Sequence, residues 1–311
     1  MASAEQHGVT IERRPSKLKL WLLKIRLNFL LLTPVCVLTG IAASLYAGYA
    51  INLWHLVLAF IGAMLAHISV NVLNEYFDYR SGIDFKTART PFSGGSGILV
   101  LPAQQVYFLG LACLGLVLVI GIYFLFIYGL SILPIGLIGA MVIYFYTPAI
   151  AKLPGISEIA AGGFALMVLG TYFTQTGSYS RVAAVVTLVA WLLIANLLLL
   201  NEFPDVEADQ SGGRRHLPIV LGRERAAKVY CGITAAVYAV IVAGVASAIL
   251  PLSALLGLAT LPLGIKAMKG ALRYHSDIPA LVPFLATNVQ VVLLTPLLMS
   301  IGIMAWALFA G

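Results

Sequence analysis

The chain has 311 residues, of which 61% are hydrophobic and 10% are charged. A soluble domain carries about 25% charged residues, so this composition excludes a cytosolic enzyme, a secreted disulfide scaffold and a disordered chain. The class that remains is a helical protein that crosses a membrane several times. The net charge of +7 indicates basic residues that set the orientation in the membrane, and no nucleic-acid partner is expected.

The chain begins with a polar segment and continues as a series of apolar stretches. Residues 1–20 are predicted to form a cytoplasmic tail, and residues 21–311 a single transmembrane domain. A spanning helix needs roughly 20 mostly apolar residues, and we therefore expect an all-α, polytopic transmembrane helical bundle of about nine spans. The nine stretches lie at about 26–48, 53–77, 105–127, 130–147, 156–174, 182–203, 226–249, 251–268 and 281–309.

Lysine and arginine residues indicate how this bundle is oriented. If the N-terminus lies in the cytoplasm, 18 of the 19 basic side chains fall in cytoplasmic segments, and Arg181 alone falls outside. Such an excess is typical of cytoplasmic loops. The sequence thus predicts an integral protein of the inner or plasma membrane, with its N-terminus in the cytoplasm and its C-terminus outside.

The acidic residues are concentrated in two places. Seven of the twelve lie in the segments 75–84 and 202–209. Each segment follows an even-numbered predicted span, so both are expected at the cytoplasmic surface of the membrane. Carboxylates at a membrane boundary are costly unless they have a partner such as a cation.

The two acidic segments share an Asn-Glu-aromatic-x-Asp pattern, at residues 74–78 and 201–205. They are separated by 127 residues and four predicted spans, which is the pattern of an internal four-helix repeat with two half-sites facing each other. On a helix, Asn74 and Asp78 fall on one face, as do Asp205 and Asp209. Pro204 is expected to bend or end its helix.

Carboxylates of this kind point to a divalent cation. Hard oxygen ligands suit Mg²⁺, which commonly bridges carboxylates to substrate phosphates. Basic residues follow both segments, among them Arg80 and Arg89 after the first and Arg214 and Arg215 after the second. Carboxylates, Mg²⁺ and basic side chains together are typical of a diphosphate site. Since an apolar bundle lies beside it, the expected substrate is a lipid with a diphosphate head.

These motifs resemble a known family. NEYFDYRSGID at 74–84 and DVEAD at 205–209 look like the two aspartate motifs of the UbiA superfamily of intramembrane prenyltransferases. Asn74 and Asp78 match the start of the first motif, whose last aspartate, Asp84, is displaced by a longer spacing. That spacing, followed by PFSGGSGIL at 91–99, resembles the branch that prenylates 1,4-dihydroxy-2-naphthoate in menaquinone biosynthesis.

The resemblance implies a fold, a cofactor and a set of roles. Two Mg²⁺ ions would be held by Asn74, Asp78, Asp84, Asp205 and Asp209, of which the four aspartates would be the catalytic residues. The substrates would be a polyprenyl diphosphate, drawn from the lipid bilayer, and an aromatic acceptor, meeting in a site that faces the cytoplasm. The residues that would contact the diphosphate are Asn74, Arg26, Arg89, Tyr146, Lys152, Arg214 and Arg215.

Two alternatives stay open at this point. Another acceptor such as 4-hydroxybenzoate would use the same donor chemistry. A secondary transporter also shows internal repeats and intramembrane acids, although it would place charges near the middle of its spans, which here are almost free of them.

Several other residues have ordinary interpretations. Gly94, Gly95 and Gly97 are read as a flexible lid, because the strand–loop–helix context of a nucleotide-binding loop is missing. Glu158 is interpreted as a cap for the fifth span and His67 as a packed or hydrogen-bonded histidine.

Overall fold

The computed structural model describes residues 26–83 and 102–309 (Leu27 and Asn28 through their backbone alone), and within these ranges every regular element is helical. The predicted all-α fold class is confirmed. The predicted tail, Asp84, Arg89 and the glycine-bearing segment 91–99 lie outside the described residues. In chain order the α-helices are α1 (Leu32–Tyr46), α2 (Leu53–Ser81), α3 (Ala103–Tyr128), α4 (Leu133–Phe145), α5 (Ile156–Ala161), α6 (Leu166–Thr176), α7 (Arg181–Asn201), α8 (Val206–Ser211), α9 (Leu217–Leu221), α10 (Arg223–Ala246), α11 (Leu261–Tyr274) and α12 (Ile278–Phe309).

Eight stretches of the described chain are long and apolar enough to cross a membrane, one fewer than the nine predicted. The difference lies in Ala103–Phe145, which counts as one continuous helical stretch. The hydroxyls of Tyr107 in α3 and Tyr144 in α4 lie 3.2 Å apart, which shows that this stretch folds back on itself. Gly129 allows the reversal with a φ of 65°, so a short 3-10 turn joins two antiparallel helices without a loop.

Close helix contacts at small residues hold the centre of the bundle together. A Cβ on Gly40 in α1 would lie 2.6 Å from the carbonyl oxygen of Val168 in α6. On α12, a Cβ at Gly302 would lie 2.0 Å from the carbonyl oxygen of Ser253. Glycine therefore lets these backbones approach closely, as is typical of helices packed in a membrane.

Two helix ends bring the acidic segments together. Helix α2 is 29 residues long and ends at Ser81, before Gly82 with its φ of 77°, so Asn74 and Asp78 lie in its last turns. Helix α7 ends at Asn201, and α8 begins at Val206, so the predicted break at Pro204 is confirmed. The acids at 202–209 consequently lie in a turn and a short helix beside the end of α2.

Candidate active site

A cavity of about 230 Å³ lies where α2, α7 and α8 meet. Its mouth is polar and its inner wall is apolar, with Phe29, Phe164 and Leu293 among the lining side chains. Seven of the eleven site residues predicted from the sequence and the resemblance line it: Arg26, Asn74, Asp78, Tyr146, Asp205, Asp209 and Arg214.

Arg214 joins the two acidic segments. One guanidinium nitrogen, Nη2, pairs with Asp78 Oδ1 from α2, and the other, Nη1, donates to Asp209 Oδ1 at 2.9 Å. Burial of the guanidinium opposes its charge, but the two carboxylates raise the pKa of Arg214 above its ordinary value. Arg214 is therefore a buried cation held between two carboxylates from distant parts of the sequence.

The local backbone explains why Arg214 reaches both acids. The amide of Asp209 donates to the carbonyl of Asp205 at 2.8 Å, so these two residues are one helical turn apart and share a face. Gly213 then turns the chain with a φ of 80°. The amide of Arg214 donates back to the carbonyl of Asp209 at 3.0 Å, which starts the Arg214 side chain beside the Asp209 carboxylate.

Asn74 is oriented by two neighbours. Its Oδ1 accepts a hydrogen bond from Arg26 Nη2 at 2.9 Å, and its Nδ2 donates to Thr147 Oγ1 at 3.0 Å. Arg26 also pairs with Glu75 Oε1 at 3.3 Å, and Glu75 is fully buried. Arg26 has a left-handed backbone with a φ of 53°, which costs an L-residue about 1–2 kcal/mol. These contacts offset that cost and fix Arg26 at the cavity.

A second group of buried residues supports Asp209 from behind. Nε2 of His216 lies 2.9 Å from Asp209 Oδ2, and Nδ1 lies 3.9 Å from Glu202 Oε2. His216 is 2% exposed. Burial raises the pKa of Glu202 well above its ordinary value, and the adjoining Glu158, which is hydrogen-bonded to it, raises the pKa further. Burial beside a second carboxyl therefore favours the neutral form of Glu202.

Sequence reasoning missed most of this group. His216 has no metal-ligand spacing to other residues, so the sequence does not single it out as a site residue. Glu158 does cap a helix, but not its own: its Oε1 accepts from the amide of Leu217 at 2.7 Å, at the start of α9. No signal in the sequence indicates which distant helix end a buried carboxylate will meet. The interpretation of His67 as hydrogen-bonded is confirmed, since Nδ1 lies 2.8 Å from Thr33 Oγ1.

Two predicted diphosphate residues do not line this cavity. Lys152 is exposed and borders a neighbouring cavity of about 270 Å³ on the other side of the Asp78–Arg214 pair. Arg215 is exposed as well, and its backbone amide donates to the carbonyl of Ala151 at 3.3 Å. Its position next to Arg214 in sequence therefore does not bring its side chain to the same place.

The donor set suits a hard cation such as Mg²⁺. Carboxylate and amide oxygens dominate the mouth of the cavity, and the buried Oδ1 of Asn201, which lines it, has no hydrogen-bond partner among the described residues. Across residues 26–83 and 102–309, no three acidic, histidine or cysteine side chains form a metal cluster. The guanidinium of Arg214 lies between the carboxylates of Asp78 and Asp209.

Comparison with known families and proteins gives consistent matches. A model of the UbiA prenyltransferase family matches residues 33–288. A 1,4-dihydroxy-2-naphthoate octaprenyltransferase of Bacillus subtilis is 29% identical over 178 residues, which is 55% of this chain and 56% of that protein. The chain thus aligns with about half of that relative. A digeranylgeranylglyceryl phosphate synthase of Thermococcus kodakarensis is 28% identical over 239 residues, covering 72% of this chain and 76% of that protein.

Solved structures share the fold. A structure of a digeranylgeranylglyceryl phosphate synthase has a TM-score of 0.64 at 20% identity, covering 93% of this chain and 99% of that one. A UbiA homologue of Archaeoglobus fulgidus, bound to DMAPP and Mg²⁺, has a TM-score of 0.55 at 17% identity, covering 90% of this chain and 99% of that one. At such identities the likeness is one of helical architecture.

Proposed function

The chain belongs to the UbiA prenyltransferase family, and on that premise we propose that it transfers a prenyl group from a polyprenyl diphosphate to 1,4-dihydroxy-2-naphthoate. Family membership decides between the enzyme and the transporter in favour of the enzyme. The observation that carries the proposal is the convergence of Asp78 and Asp209 on Arg214, at the polar mouth of a cavity with an apolar inner wall.

We propose that the mouth of the cavity binds Mg²⁺ and the diphosphate together. Asn74, Asp78, Asp205 and Asp209, with Asp84 from the neighbouring segment, would hold the metal through oxygen atoms. Bound Mg²⁺ neutralises negative charge on a departing diphosphate. The Archaeoglobus fulgidus homologue solved with DMAPP and Mg²⁺ supports this pairing of ligand and cofactor.

Arg214 would then change partners. Its guanidinium pairs with Asp78 and Asp209. With Mg²⁺ held by those carboxylates, the guanidinium would be free to bind phosphate oxygens, which it matches in a bidentate geometry. Arg26, which lines the same cavity and is 26% exposed in its side chain, supplies a second permanent charge. Both cations would stabilise the negative charge that develops on the leaving group.

The chemistry proposed is ionisation followed by capture. The bond between the allylic carbon and the diphosphate oxygen breaks, and its electron pair leaves with the diphosphate. The apolar wall at Phe29 and Leu293 keeps water from the allylic cation, and the ring of Phe164 offers it a cation–π contact. The carboxyl-bearing ring carbon of the acceptor forms the new bond. Loss of CO₂ returns an electron pair to the ring, so charge balances without an added oxidant.

The choice of acceptor and membrane side rests on separate support. The Bacillus subtilis relative is named for 1,4-dihydroxy-2-naphthoate, and the segment PFSGGSGIL at 91–99 resembles that branch. The basic residues near the cavity end of the bundle favour a cytoplasmic position for it, where a soluble aromatic acid would reach it. We propose a single domain over 21–311 in the inner or plasma membrane, with its active site facing the cytoplasm.

An acceptor panel tests this function. Purified protein in lipid vesicles receives one long prenyl diphosphate, Mg²⁺ and, in separate reactions, 1,4-dihydroxy-2-naphthoate, 4-hydroxybenzoate or a glycerol phosphate lipid. We expect release of pyrophosphate and a decarboxylated prenyl product with the naphthoate only. Turnover confined to another acceptor, or a product that keeps the carboxyl group, would overturn the acceptor assignment. No pyrophosphate release from any donor would overturn the prenyl-transfer proposal itself.

A further inference from the structure

A second cavity, of about 280 Å³, lies deeper in the membrane region between α2, α3, α4 and α6. We refer to it as the hairpin groove, since the α3–α4 hairpin forms one side of it. Its lining is almost entirely apolar, and it meets the first cavity at three shared residues, Val70, Val142 and Phe164. The two cavities are therefore neighbours, and the side chains that they share are apolar.

The groove has a measurable direction and a closed far end. It follows one face of α2 from Val70 to Leu58, which is about 18 Å along a helix. Phe124 and Ile132, both buried, line its far end. Beyond them the hydroxyl of Tyr128 donates to the carbonyl of Thr174 at 2.6 Å. An apolar chain that enters from the first cavity therefore has a limited length in which to lie straight.

Glycine residues leave the groove open along the hairpin. Gly136 and Gly139 on α4 and Gly121 on α3 line it, and a Cβ built on any of them would meet nothing within 4 Å. Their backbones do not adopt the left-handed conformation, so a side chain there causes no strain. A larger residue would instead project into empty space in the groove. Glycine at these positions thus keeps the groove wide and is not required by the backbone conformation.

We propose that the hairpin groove binds the distal isoprene units of the donor, and that Gly136 and Gly139 determine how long a prenyl chain the enzyme transfers efficiently. The proposal rests on the proposed function, because it takes the donor's diphosphate to lie at Arg214. Continuity through Phe164 favours this occupant, since the diphosphate and the tail belong to one molecule. A groove filled by bulk lipid would leave chain-length preference independent of these glycines.

The test narrows the groove without touching the polar site. Gly136→Leu and Gly139→Leu each add a side chain that fills the open space, and leucine is also the better helix former. Gly115→Leu is the matched control: Gly115 lies on the same hairpin, its Cβ would also meet nothing within 4 Å, and it does not line the groove. The readout is the ratio of kcat/KM for octaprenyl diphosphate to kcat/KM for geranyl diphosphate, with product length checked by mass spectrometry.

We expect the ratio to fall about 10-fold or more in the two groove variants, since a filled apolar pocket rejects added methylenes by such factors. Gly115→Leu should keep the wild-type ratio. An unchanged ratio in both groove variants, or an equal shift in all three, would overturn the proposal. Turnover of geranyl diphosphate shows in each case that the variant is folded and active. Absence of turnover in the wild-type protein with every donor would instead count against the proposed function.

Discussion

The two acidic segments have the same sequence pattern but different structures. In the first, Asn74 and Asp78 lie on one continuous helix, and the buried Glu75 is paired with Arg26, whose charge is permanent. In the second, the helix breaks before Asp205, and the buried Glu202 lies against Glu158 and His216. The same motif thus buries its glutamate once beside a permanent cation and once beside another carboxyl, where burial raises the pKa of Glu202.

The two segments are held in the site by different kinds of contact. A long helix places Asn74 and Asp78 on one face, and Arg26 orients the Asn74 amide and balances the charge of Glu75. Asp209 lies in a helix of only six residues, and Arg214 and His216 hold its carboxylate by direct contacts. We therefore expect the second segment to depend more on its neighbours than the first.

The largest loss of turnover is expected on removing an aspartate from either segment, and it should be equal for the two segments. Asp78→Ala and Asp209→Ala each remove a carboxylate from the shared site, and we expect each to lower kcat about 10³-fold or more, since several kcal/mol of charge stabilisation is lost. Turnover is measured as pyrophosphate release in vesicles across a range of Mg²⁺ concentrations. Glu224→Gln, an exposed acid paired with Lys228, is the control. Near-normal turnover of either aspartate variant at low Mg²⁺ would show that the segments do not share a site.

The next effect concerns the residue between the segments. Arg214→Gln leaves two carboxylates facing each other without a cation, and breaking a buried ion pair costs about 3–5 kcal/mol. We expect the Tm of this variant to be lower than that of the wild type in EDTA and to recover largely in Mg²⁺, because the divalent cation replaces the guanidinium. Thermal unfolding in detergent, followed with and without Mg²⁺, measures this.

An Arg223→Gln variant provides the contrast for Arg214. Arg223 pairs with the exposed Glu207 and donates to the carbonyl of Phe203, so its loss should lower Tm by the same amount in both conditions. A Tm deficit of Arg214→Gln that Mg²⁺ does not reduce would contradict the idea that arginine and metal share the same position.

A smaller effect separates the two supporting residues. His216→Leu removes the hydrogen bond to Asp209 and should lower kcat and the apparent affinity for Mg²⁺ about 10-fold, as is typical when the partner of a metal ligand is lost. Arg26→Gln should lower Tm, because the buried Glu75 loses the cation that pairs with it. The Mg²⁺ dependence of the remaining turnover should stay near that of the wild type. A changed Mg²⁺ dependence in Arg26→Gln, together with an unchanged one in His216→Leu, would contradict the idea that the second segment depends more on its neighbours.

The smallest effect is a pH dependence confined to the second segment. Because the folded-state pKa of Glu202 is raised, the folded protein binds a proton that the unfolded chain releases above the ordinary glutamate value of about 4.3. Stability therefore falls as pH rises from that value through the raised one. Glu158→Gln removes the neighbouring charge and should flatten this slope of Tm against pH. The slope of Tm against pH should persist in Glu224→Gln. If Glu158→Gln leaves that slope unchanged, protonation of Glu202 is not its cause.

The sequence predicted what is local and periodic. Long apolar stretches, the break at Pro204 and the face shared by Asn74 and Asp78 follow from spacing alone, and the structure has them all. It also indicated the reversal near Gly129, although the chain makes that turn without leaving helical conformation. The gathering of the two motifs at one cavity followed from their similarity and from the expected side of the membrane.

What the sequence could not predict depends on the path of the chain after α7. Arg214 and Arg215 are adjacent and chemically alike, yet only Arg214 turns back over Asp209, because Gly213 and the hydrogen bond to Asp209 set its direction. His216 is recognisable as a partner of Asp209 only once that turn is known. Lys152 is implied by the family resemblance, and a resemblance in sequence does not say on which side of the Asp78–Arg214 pair a side chain will lie.

The length of α2 has a consequence for how a lipid reaches this protein. Its 29 residues measure about 44 Å, more than the ~30 Å of a bilayer's hydrocarbon core, and we expect Asn74 and Asp78, in its last turns, to lie at the depth of lipid headgroups. An amphiphile resting in that leaflet already carries its phosphates at the level of the cavity mouth. Its encounter with the protein is then a search in the two dimensions of the membrane plane, with no step in which the lipid is lifted into water.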